Sequence, residues 1–227
     1  MNGADIHLDN RLALCAEFVR DGTRLVDVGT DHAYLPVWLA LRGRIESAVA
    51  CDIRTGPLKN AENNIKRFGA QATVKTRLSD GLDSIDKNDA YDIVIAGMGG
   101  ELIAEIIKRT QWLCTGERRL ILQPMTRAES LRLFLCKNGF QIVDERACVS
   151  GRKVYSVMVC EYDGIIRKCE GVYRFVGRLA EDDSNEAKEY ILNINTKLKK
   201  RILGLSTDSD DHSELDSIIK KLDGLLE

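Results

Sequence analysis

The sequence of 227 residues has almost no excess charge and no long apolar run. A net charge of −2 at pH 7 gives no general attraction to nucleic acid, so an RNA partner would need a local basic patch. No apolar run is long enough to span a bilayer, and no signal-peptide pattern opens the sequence. We therefore expect a cytoplasmic protein without a membrane partner, built from one α/β domain and a smaller appendage.

The cysteines lack the spacing of a disulfide framework or a zinc site, because they occur singly and never as C-x-x-C. They are Cys15, Cys51, Cys114, Cys136, Cys148, Cys160 and Cys169. Most of them lie in apolar segments, so we expect small buried hydrophobic residues and no metal.

The segment from Arg24 to Pro36 predicts a strand, then a glycine turn, and then the beginning of a helix. Gly29 lets the backbone approach a ligand, and Pro36 suits the first turn of a helix. A second apolar strand ends at Asp52, about twenty residues further on, where a carboxylate can accept both hydroxyls of a ribose. A tight turn at Gly29 and a helix cap at Asp52 are the alternatives, but together the two features favour an adenosyl cofactor.

The glycine content of this turn is low for a dinucleotide site. NAD and FAD sites use three glycines to seat a pyrophosphate, and here Gly29 is followed by Thr30, Asp31, His32 and Ala33. An acid in the loop repels a diphosphate and attracts the ammonium or sulfonium of S-adenosylmethionine. We therefore expect S-adenosyl-L-methionine as the cofactor and disfavour a nicotinamide-dependent oxidoreductase.

Strands and helices alternate along the first part of the chain, which predicts a parallel, doubly wound α/β sheet. The predicted strands are 24–28, 46–52, 73–78, 91–96 and 118–123, with helices near 8–19, 57–68, 101–109 and 127–138. The segments 140–149 and 153–162 are joined by only three residues, so they form an antiparallel hairpin. A mostly parallel sheet closed by such a hairpin is typical of Rossmann-like class I methyltransferases.

The composition changes after Asp163, where charges increase and strand formers become rare. Helical periodicity covers 172–205 and 215–226, with a polar turn at 206–211 between them. We expect a helical hairpin packed as a short coiled coil. The predicted domains are residues 1–163 and residues 164–227.

The other strand ends supply further candidates, each with a structural alternative. Asp80 could meet an adenine amino group, or belong to a simple turn. The glycines after Ala96 indicate close packing against a ligand or a helix. Gln123 and Pro124 lie where substrate would enter, or form a strand end and turn. The Asn/Asp-Pro-Pro box of many aminomethyltransferases is absent.

The candidate residues form two sets. The cofactor set is Asp27, Gly29, Asp31, His32, Asp52, Ile53, Asp80, Gly81, Ala96, Gly97 and Met98, although a lone histidine is more often structural. The substrate set is Gln123, Pro124, Arg127, Lys197, Lys199, Lys200 and Arg201. For the lysine cluster, and for Arg127, Arg132 and Lys137 on the predicted helix near 127–138, a solvated helix face is the default.

Three strings, DVGTDHAYLP (27–36), AGMGGELI (96–103) and LILQPM (120–125), closely resemble the bacterial family that methylates N1 of adenine 22 in tRNA. The resemblance covers the whole chain. It implies S-adenosylmethionine as methyl donor, tRNA as substrate, and a C-terminal coiled-coil domain that helps to hold the tRNA. We expect a monomer.

Adenine N1 carries a lone pair at neutral pH, so methyl transfer to it needs alignment and nearby negative charge rather than a general base. Asp31 is the candidate for that charge, and Tyr34 for positioning the base. The alternative is that Asp31 caps the next helix or binds the ammonium of the cofactor. A non-catalytic RNA or protein interaction module on the same scaffold is the second functional hypothesis.

Overall fold

The computed structural model describes residues 6–206 and 209–227 and contains a seven-stranded sheet. The strands are β1 Thr23–Val28, β2 Ile45–Asp52, β3 Val74–Leu78, β4 Asp92–Gly99, β5 Arg119–Thr126, β6 Phe140–Ser150 and β7 Lys153–Tyr162. Their order is β3-β2-β1-β4-β5-β7-β6. Strands β1 to β5 are parallel, and β7 pairs antiparallel with both β5 and β6. The predicted class I methyltransferase fold is confirmed, including its hairpin.

Helices cover both faces of the sheet because alternate strand residues point to opposite sides. The helices are α1 Asn10–Phe18, α2 Tyr34–Leu41, α3 Thr55–Arg67, α4 Gly100–Arg109, α5 Ala128–Lys137, α6 Gly171–Val176, α7 Asn185–Ile202 and α8 Asp210–Gly224. Leu25 of β1 packs into a core with α1, α2 and α3, whereas its neighbour Val26 packs into a second core with α4 and α5.

Strands β4 and β5 extend further than the sequence predicted. Beyond Ala96 and Gln123 they pair again at Met98 with Pro124 and at Gly99 with Thr126, across two register shifts. Pro124 therefore lies in an irregular part of the strand rather than in a terminal turn, because a bulge tolerates a residue that has no N–H to donate. The interpretation of Gln123 and Pro124 as a strand end and turn is wrong.

The tail contains a helical hairpin, but its first predicted helix is divided in two. Helix α6 ends at Gly177, whose φ of 57° is unfavourable for other residues, and a 3-10 turn spans Gly177–Glu181. Ser184 then caps α7, and Ser209 caps α8. Thr207 and Asp208 of the predicted polar turn lie outside the described residues.

A third apolar core joins α6, α7 and α8 to the β6–β7 hairpin. Ile191 and Leu198 of α7 meet Ile218 and Leu222 of α8, and Val154 of β7 packs against them. The tail helices are therefore attached to the edge of the sheet by a continuous apolar contact.

Six of the seven cysteines are buried as expected, and none forms a disulfide. Cys114 is exposed, because it follows a short surface 3-10 turn at Gln111–Leu113. Within the described residues no helix is long and apolar enough to cross a membrane, and no group of three potential metal ligands occurs.

Candidate active site

A cavity of about 310 Å³ opens at the carboxyl ends of β1 and β4. It is lined by Arg11, Leu12, Asp27, Gly29, Thr30, Asp31, His32, Ala33, Tyr34, Leu35, Ala96 and Gly97. Of the predicted cofactor residues it brings together Asp27, Gly29, Asp31, His32, Ala96 and Gly97, and it adds the predicted catalytic Tyr34. Crevices at this edge of a parallel sheet are where α/β proteins bind their ligands.

The loop after β1 is fixed to the neighbouring strand. The backbone N–H groups of Gly29 and Thr30 both donate to the carbonyl of Cys51, at 2.8 and 2.9 Å. Gly29 has a φ of 76°, and a Cβ there would lie 2.1 Å from the methyl group of Met98. The turn therefore favours glycine because of its left-handed backbone conformation, and the flexible Met98 side chain occupies the space that a Cβ would fill.

Asp27 is the buried acid of the cavity, with only 7% of its surface exposed. Burial raises the pKa of its carboxyl from 3.8 to about 6, and a hydrogen bond from the Thr30 side chain opposes this rise. No cation lies within ion-pair distance of Asp27 among the residues that the structure describes. A cationic group of a ligand would relieve the cost of this charge, so the cavity favours a cation.

Asp31, His32 and Tyr34 form the mouth of the cavity. The Asp31 carboxylate is exposed and lies 3.3 Å from Nε2 of His32, and the His32 ring stacks on Tyr34 with centroids 5.3 Å apart. Helix α2 begins after Ala33, which has a left-handed conformation, and no side chain caps it. The alternative that Asp31 caps this helix is therefore wrong, and its carboxylate stays available at the mouth.

Asp52 and Asp80 lie at the ends of the next two strands, beside the cavity rather than in its wall. Asp52 is buried and accepts a hydrogen bond from the backbone N–H of Arg54. Ile53 beside it is 60% exposed and free to cover an apolar ligand surface. The Asp80 carboxylate is held by Arg109, whose hydrogen bond lowers the pKa of Asp80, and Arg109 also packs against Gly81. Asp80 is thus already partnered by a cation.

The glycines after Ala96 serve two different contacts. Gly97 has a φ of 78° and faces the cavity, where the nearest side-chain atom to a Cβ would be Nη1 of Arg11 at 4.0 Å. Gly100 instead packs on backbone, because its Cβ would lie 2.4 Å from the carbonyl oxygen of Arg127. The neighbouring-segment alternative therefore applies to Gly100, whereas contact with a ligand remains a prediction for Gly97.

Gln123 is completely buried and does not reach the rim. Its Oε1 accepts hydrogen bonds from Nη1 of Arg11 and the backbone N–H of Gly97, and its Nε2 donates to the carbonyl of Pro124. The expectation of direct substrate contact is corrected, because all of these amide bonds are internal. Gln123 instead holds α1 and the end of β4 in place.

The comparisons with known proteins agree with this geometry. Residues 8–158 match the family model described as methyltransferase domain. A tRNA (adenine(22)-N(1))-methyltransferase of Bacillus subtilis is 38% identical over 168 residues, which is 71% of each chain. The chain belongs to the tRNA (adenine(22)-N(1))-methyltransferase family.

Solved structures of this family cover the tail as well as the sheet. Streptococcus pneumoniae Sp1610 in complex with S-adenosyl-L-methionine is 33% identical, has a TM-score of 0.84, and matches over 97% of this chain and 100% of its own. Bacillus subtilis TrmK is 30% identical with a TM-score of 0.83, over 98% and 100%. Mycoplasma capricolum TrmK, solved with S-adenosyl-homocysteine, is 25% identical with a TM-score of 0.79, over 96% and 97%.

A second cavity of this family member, about 520 Å³, lies between the sheet edge and α7. It contains three predicted substrate residues, Pro124, Arg127 and Lys197. Lys199 points elsewhere, since its Nζ binds the Asp223 carboxylate of α8 at 2.7 Å. Lys200 and Arg201 are exposed on α7 but do not line the cavity. The basic cluster is therefore divided between the cavity, the α7–α8 contact and the open surface.

Arg132 contradicts the expectation of a solvated helix face, because its side chain is fully buried. It donates to the buried Glu145 carboxylate at 2.6 Å, to the carbonyl of Phe175 at 2.7 Å and to the Tyr190 hydroxyl at 3.3 Å. A Cβ on Gly177 would lie 2.0 Å from the same carboxylate. This ion pair, which we call the Arg132 cluster, ties the tail to the sheet.

Arg11 is a cationic cavity residue that the sequence does not predict. The apolar residues of α1 indicate which face of the helix is packed, but they do not show where its polar side chains lie. The guanidinium donates to Asp9 at 2.6 Å and to Gln123 at 3.0 Å, and it lies over the Tyr155 ring. The sequence feature that could have indicated Arg11 is its position as a polar residue on the helix directly before the first strand.

Proposed function

We propose that this protein transfers the methyl group of S-adenosyl-L-methionine to N1 of adenine 22 in tRNA. The observation that carries the proposal is the cation-attracting cavity at the β1 and β4 ends, in a chain of the tRNA (adenine(22)-N(1))-methyltransferase family. A single glycine in the loop and Asp31 beside it leave no cradle for the diphosphate of a nicotinamide cofactor.

The residues at this edge of the sheet fit S-adenosyl-L-methionine, which when bound supplies an electrophilic methyl group on a sulfonium. The buried carboxylate of Asp27 is suited to the cationic amino acid end. Asp52, at the end of the neighbouring strand, is suited to the ribose hydroxyls. Ile53 and Gly81 would hold the adenine, with Ala96, Gly97 and Met98 on the opposite side. Asp80 supports this end of the sheet, because Arg109 donates to both its backbone carbonyl and its carboxylate.

Adenine N1 is a neutral lone pair, so the chain does not need to remove a proton before the methyl group is transferred. Its task is to align the base and to stabilise the positive charge that the base acquires. Asp31 lies at the mouth of the cavity, on the solvent side of the loop, where an entering base would pass. The Tyr34 ring, stacked on His32, offers a flat aromatic surface for that base.

The tail serves RNA binding and no chemistry. We place the division at Asp163, with residues 1–163 carrying the methyl transfer and residues 164–227 carrying tRNA contacts. The exposed Lys197, Lys200 and Arg201 are suited to phosphates, while Lys199 supports the helical hairpin. We also propose that the protein acts as a monomer in the cytoplasm.

The experiment is methyl transfer from labelled S-adenosyl-L-methionine to a tRNA transcript, with the modified nucleoside identified by mass spectrometry. We expect 1-methyladenosine in the wild-type transcript and none when adenine 22 is replaced by guanine. Binding of tRNA without methyl incorporation would instead support the interaction-module hypothesis. Methylation of the substituted transcript would show that another adenine is the target.

A further inference from the structure

The 520 Å³ cavity between the sheet and α7 shares no lining residue with the cofactor cavity. We call it the α7 groove. It is lined by Pro124, Met125, Thr126, Arg127, Ala128, Glu129, Lys153, Val154, Tyr155, Ser156, Tyr190, Asn193, Ile194 and Lys197. These residues come from the end of β5 and the start of α5, from the start of β7, and from α7 of the tail. A ligand in the groove would therefore contact both parts of the chain.

Arg11 separates the groove from the cofactor cavity by the thickness of one side chain. It lines the cavity, and its Nη1 lies 3.4 Å from the sulfur of Met125, which lines the groove. Its guanidinium also lies 5.5 Å from the ring centre of Tyr155, another groove residue. A strand of nucleic acid with one base in the cofactor cavity would thus continue directly into the groove.

The charge of the groove suits a phosphate. Lys153 of β7 and Lys197 of α7 both line the groove and are exposed, and neither has a carboxylate within ion-pair distance in the described part of the chain. Arg127 adds a third cation, although it pairs with Glu101 and with Glu129, the only acid of the lining. Unpaired cations that line one cleft favour the binding of an anion in it.

The floor of the groove is rigid and partly aromatic. Ser156 and Tyr190 are buried, and both contact the guanidinium of Arg132, at 3.5 and 3.3 Å. Tyr155 and Ile194 are half-buried and present apolar surface beside them. An aromatic ring beside unpaired cations is the combination with which proteins bind single-stranded nucleic acid, because the ring stacks on a base and the cations attract the backbone.

We propose that the α7 groove binds one nucleotide of the substrate tRNA adjacent to the methylated adenine, with its phosphate between Lys153 and Lys197 and its base against Tyr155. This inference rests on the proposed function and adds a second contact point to it. The groove would hold the strand on the far side of Arg11 while the target base occupies the cofactor cavity.

The charge test uses the full-length protein with Lys153→Gln and Lys197→Gln combined. We expect the KM for tRNA to rise at least about tenfold, and the slope of log affinity against log salt to fall by about one, since the contact to one phosphate is lost. The affinity for S-adenosyl-homocysteine should be unchanged. Lys188→Gln is the matched control, because it lies nine residues from Lys197 and therefore on the opposite face of α7.

The stacking test compares two substitutions of Tyr155. Tyr155→Phe keeps the ring and should retain the wild-type KM for tRNA, whereas Tyr155→Leu should raise it about tenfold. Asn193→Glu, which places a carboxylate on the exposed wall of the groove, should raise the KM without a loss of folding. These variants test the groove without disturbing the buried Arg132 cluster.

Two results separate this inference from the proposed function. A wild-type protein that forms no 1-methyladenosine in tRNA overturns both. A wild-type protein that methylates tRNA, with the double lysine variant matching Lys188→Gln in KM and salt slope, overturns the groove alone. Equal KM values for Tyr155→Phe and Tyr155→Leu overturn the placement of the base.

Discussion

A buried carboxylate lies in the cofactor cavity and another lies beneath the α7 groove, but only the second has a cationic partner among the described residues. Asp27 in the cavity is a buried carboxylate without a cationic partner, whereas Glu145 beneath the groove is bonded to Arg132 and to the backbone N–H of Arg178. An unpaired buried charge is unfavourable until a ligand completes it, while a paired one is satisfied by the fold itself. From this comparison we infer a functional role for Asp27 and an architectural role for the Arg132 cluster.

The largest effect, a loss of folding stability, is expected from breaking the buried ion pair between Arg132 and Glu145. Arg132→Met leaves the Glu145 carboxylate buried without its partner, so the free energy of unfolding should fall by about 3–5 kcal/mol. Urea denaturation measures this change. Arg132→Met combined with Glu145→Gln should recover part of the loss, because no buried charge then remains. A single variant within about 1 kcal/mol of wild type would contradict the architectural role.

The Arg132 cluster also means that the tail cannot be removed without disturbing the rest of the fold. Residues beyond Asp163 supply the carbonyl of Phe175, the Tyr190 hydroxyl and the apolar cover on Val154. Truncation at the proposed domain boundary would expose these groups and leave part of Arg132 unsatisfied. Point variants on the exposed face of α7 are therefore the cleaner test of RNA binding.

At the cofactor site, the largest loss is expected for Asp52→Ala. A carboxylate that accepts two ribose hydroxyls makes charge-assisted hydrogen bonds, so the affinity for S-adenosyl-homocysteine should fall roughly ten- to hundredfold, or about 1.5–3 kcal/mol. Calorimetric titration of the folded variant measures the loss. Asp183→Ala, an exposed acid far along the chain, is the control. Wild-type affinity in Asp52→Ala would remove Asp52 from the cofactor site.

The unpaired carboxyl of Asp27 predicts that folding stability and cofactor affinity both depend on pH. Because the folded pKa of Asp27 is raised from 3.8 to about 6, the folded state binds more protons than the unfolded state between these values. The stability contributed by this group is therefore present below about pH 4 and lost as the pH rises to about 6. Binding of a cationic cofactor needs the ionised form, so its affinity should rise over the upper part of the same interval.

Asp27→Asn should remove the pH dependence that Asp27 gives to folding stability and to cofactor affinity. We expect the variant to bind S-adenosyl-homocysteine about tenfold more weakly than wild type at pH 7.5, and with little change between pH 5.5 and 7.5. Its cofactor-free form should be at least as stable as wild type at pH 7.5. Calorimetry and urea denaturation at the two pH values test this. Parallel pH dependences in variant and wild type would show that another group titrates.

The sequence predicted the sheet and the cavity better than the connections between regions. The acid and glycine positions at the ends of β1 and β2 follow from local strand and turn patterns, so Asp27, Gly29 and Asp52 could be located in advance. Gln123 and Arg132 could not, because their burial depends on α1 and the tail, which lie more than forty residues away along the chain in each case. A helical pattern records which face is apolar, but it does not show that a polar residue is covered by a later segment.

The smallest effect is expected at Asp31, whose exposed carboxylate lies at the mouth of the cavity and does not cap α2. A charge in contact with solvent is screened, so Asp31→Asn should lower kcat only about five- to tenfold. Loss of charge stabilisation in the transition state lowers kcat, whereas loss of uniform cofactor binding raises KM alone, so kinetics at saturating cofactor and tRNA distinguish the two roles. His32→Gln removes the neighbouring imidazole and is the control for an effect transmitted through that contact. If Asp31→Asn keeps the wild-type kcat but binds the cofactor more weakly, Asp31 holds the ammonium group beside Asp27, and alignment of the base by the cavity and the groove accounts for the rate.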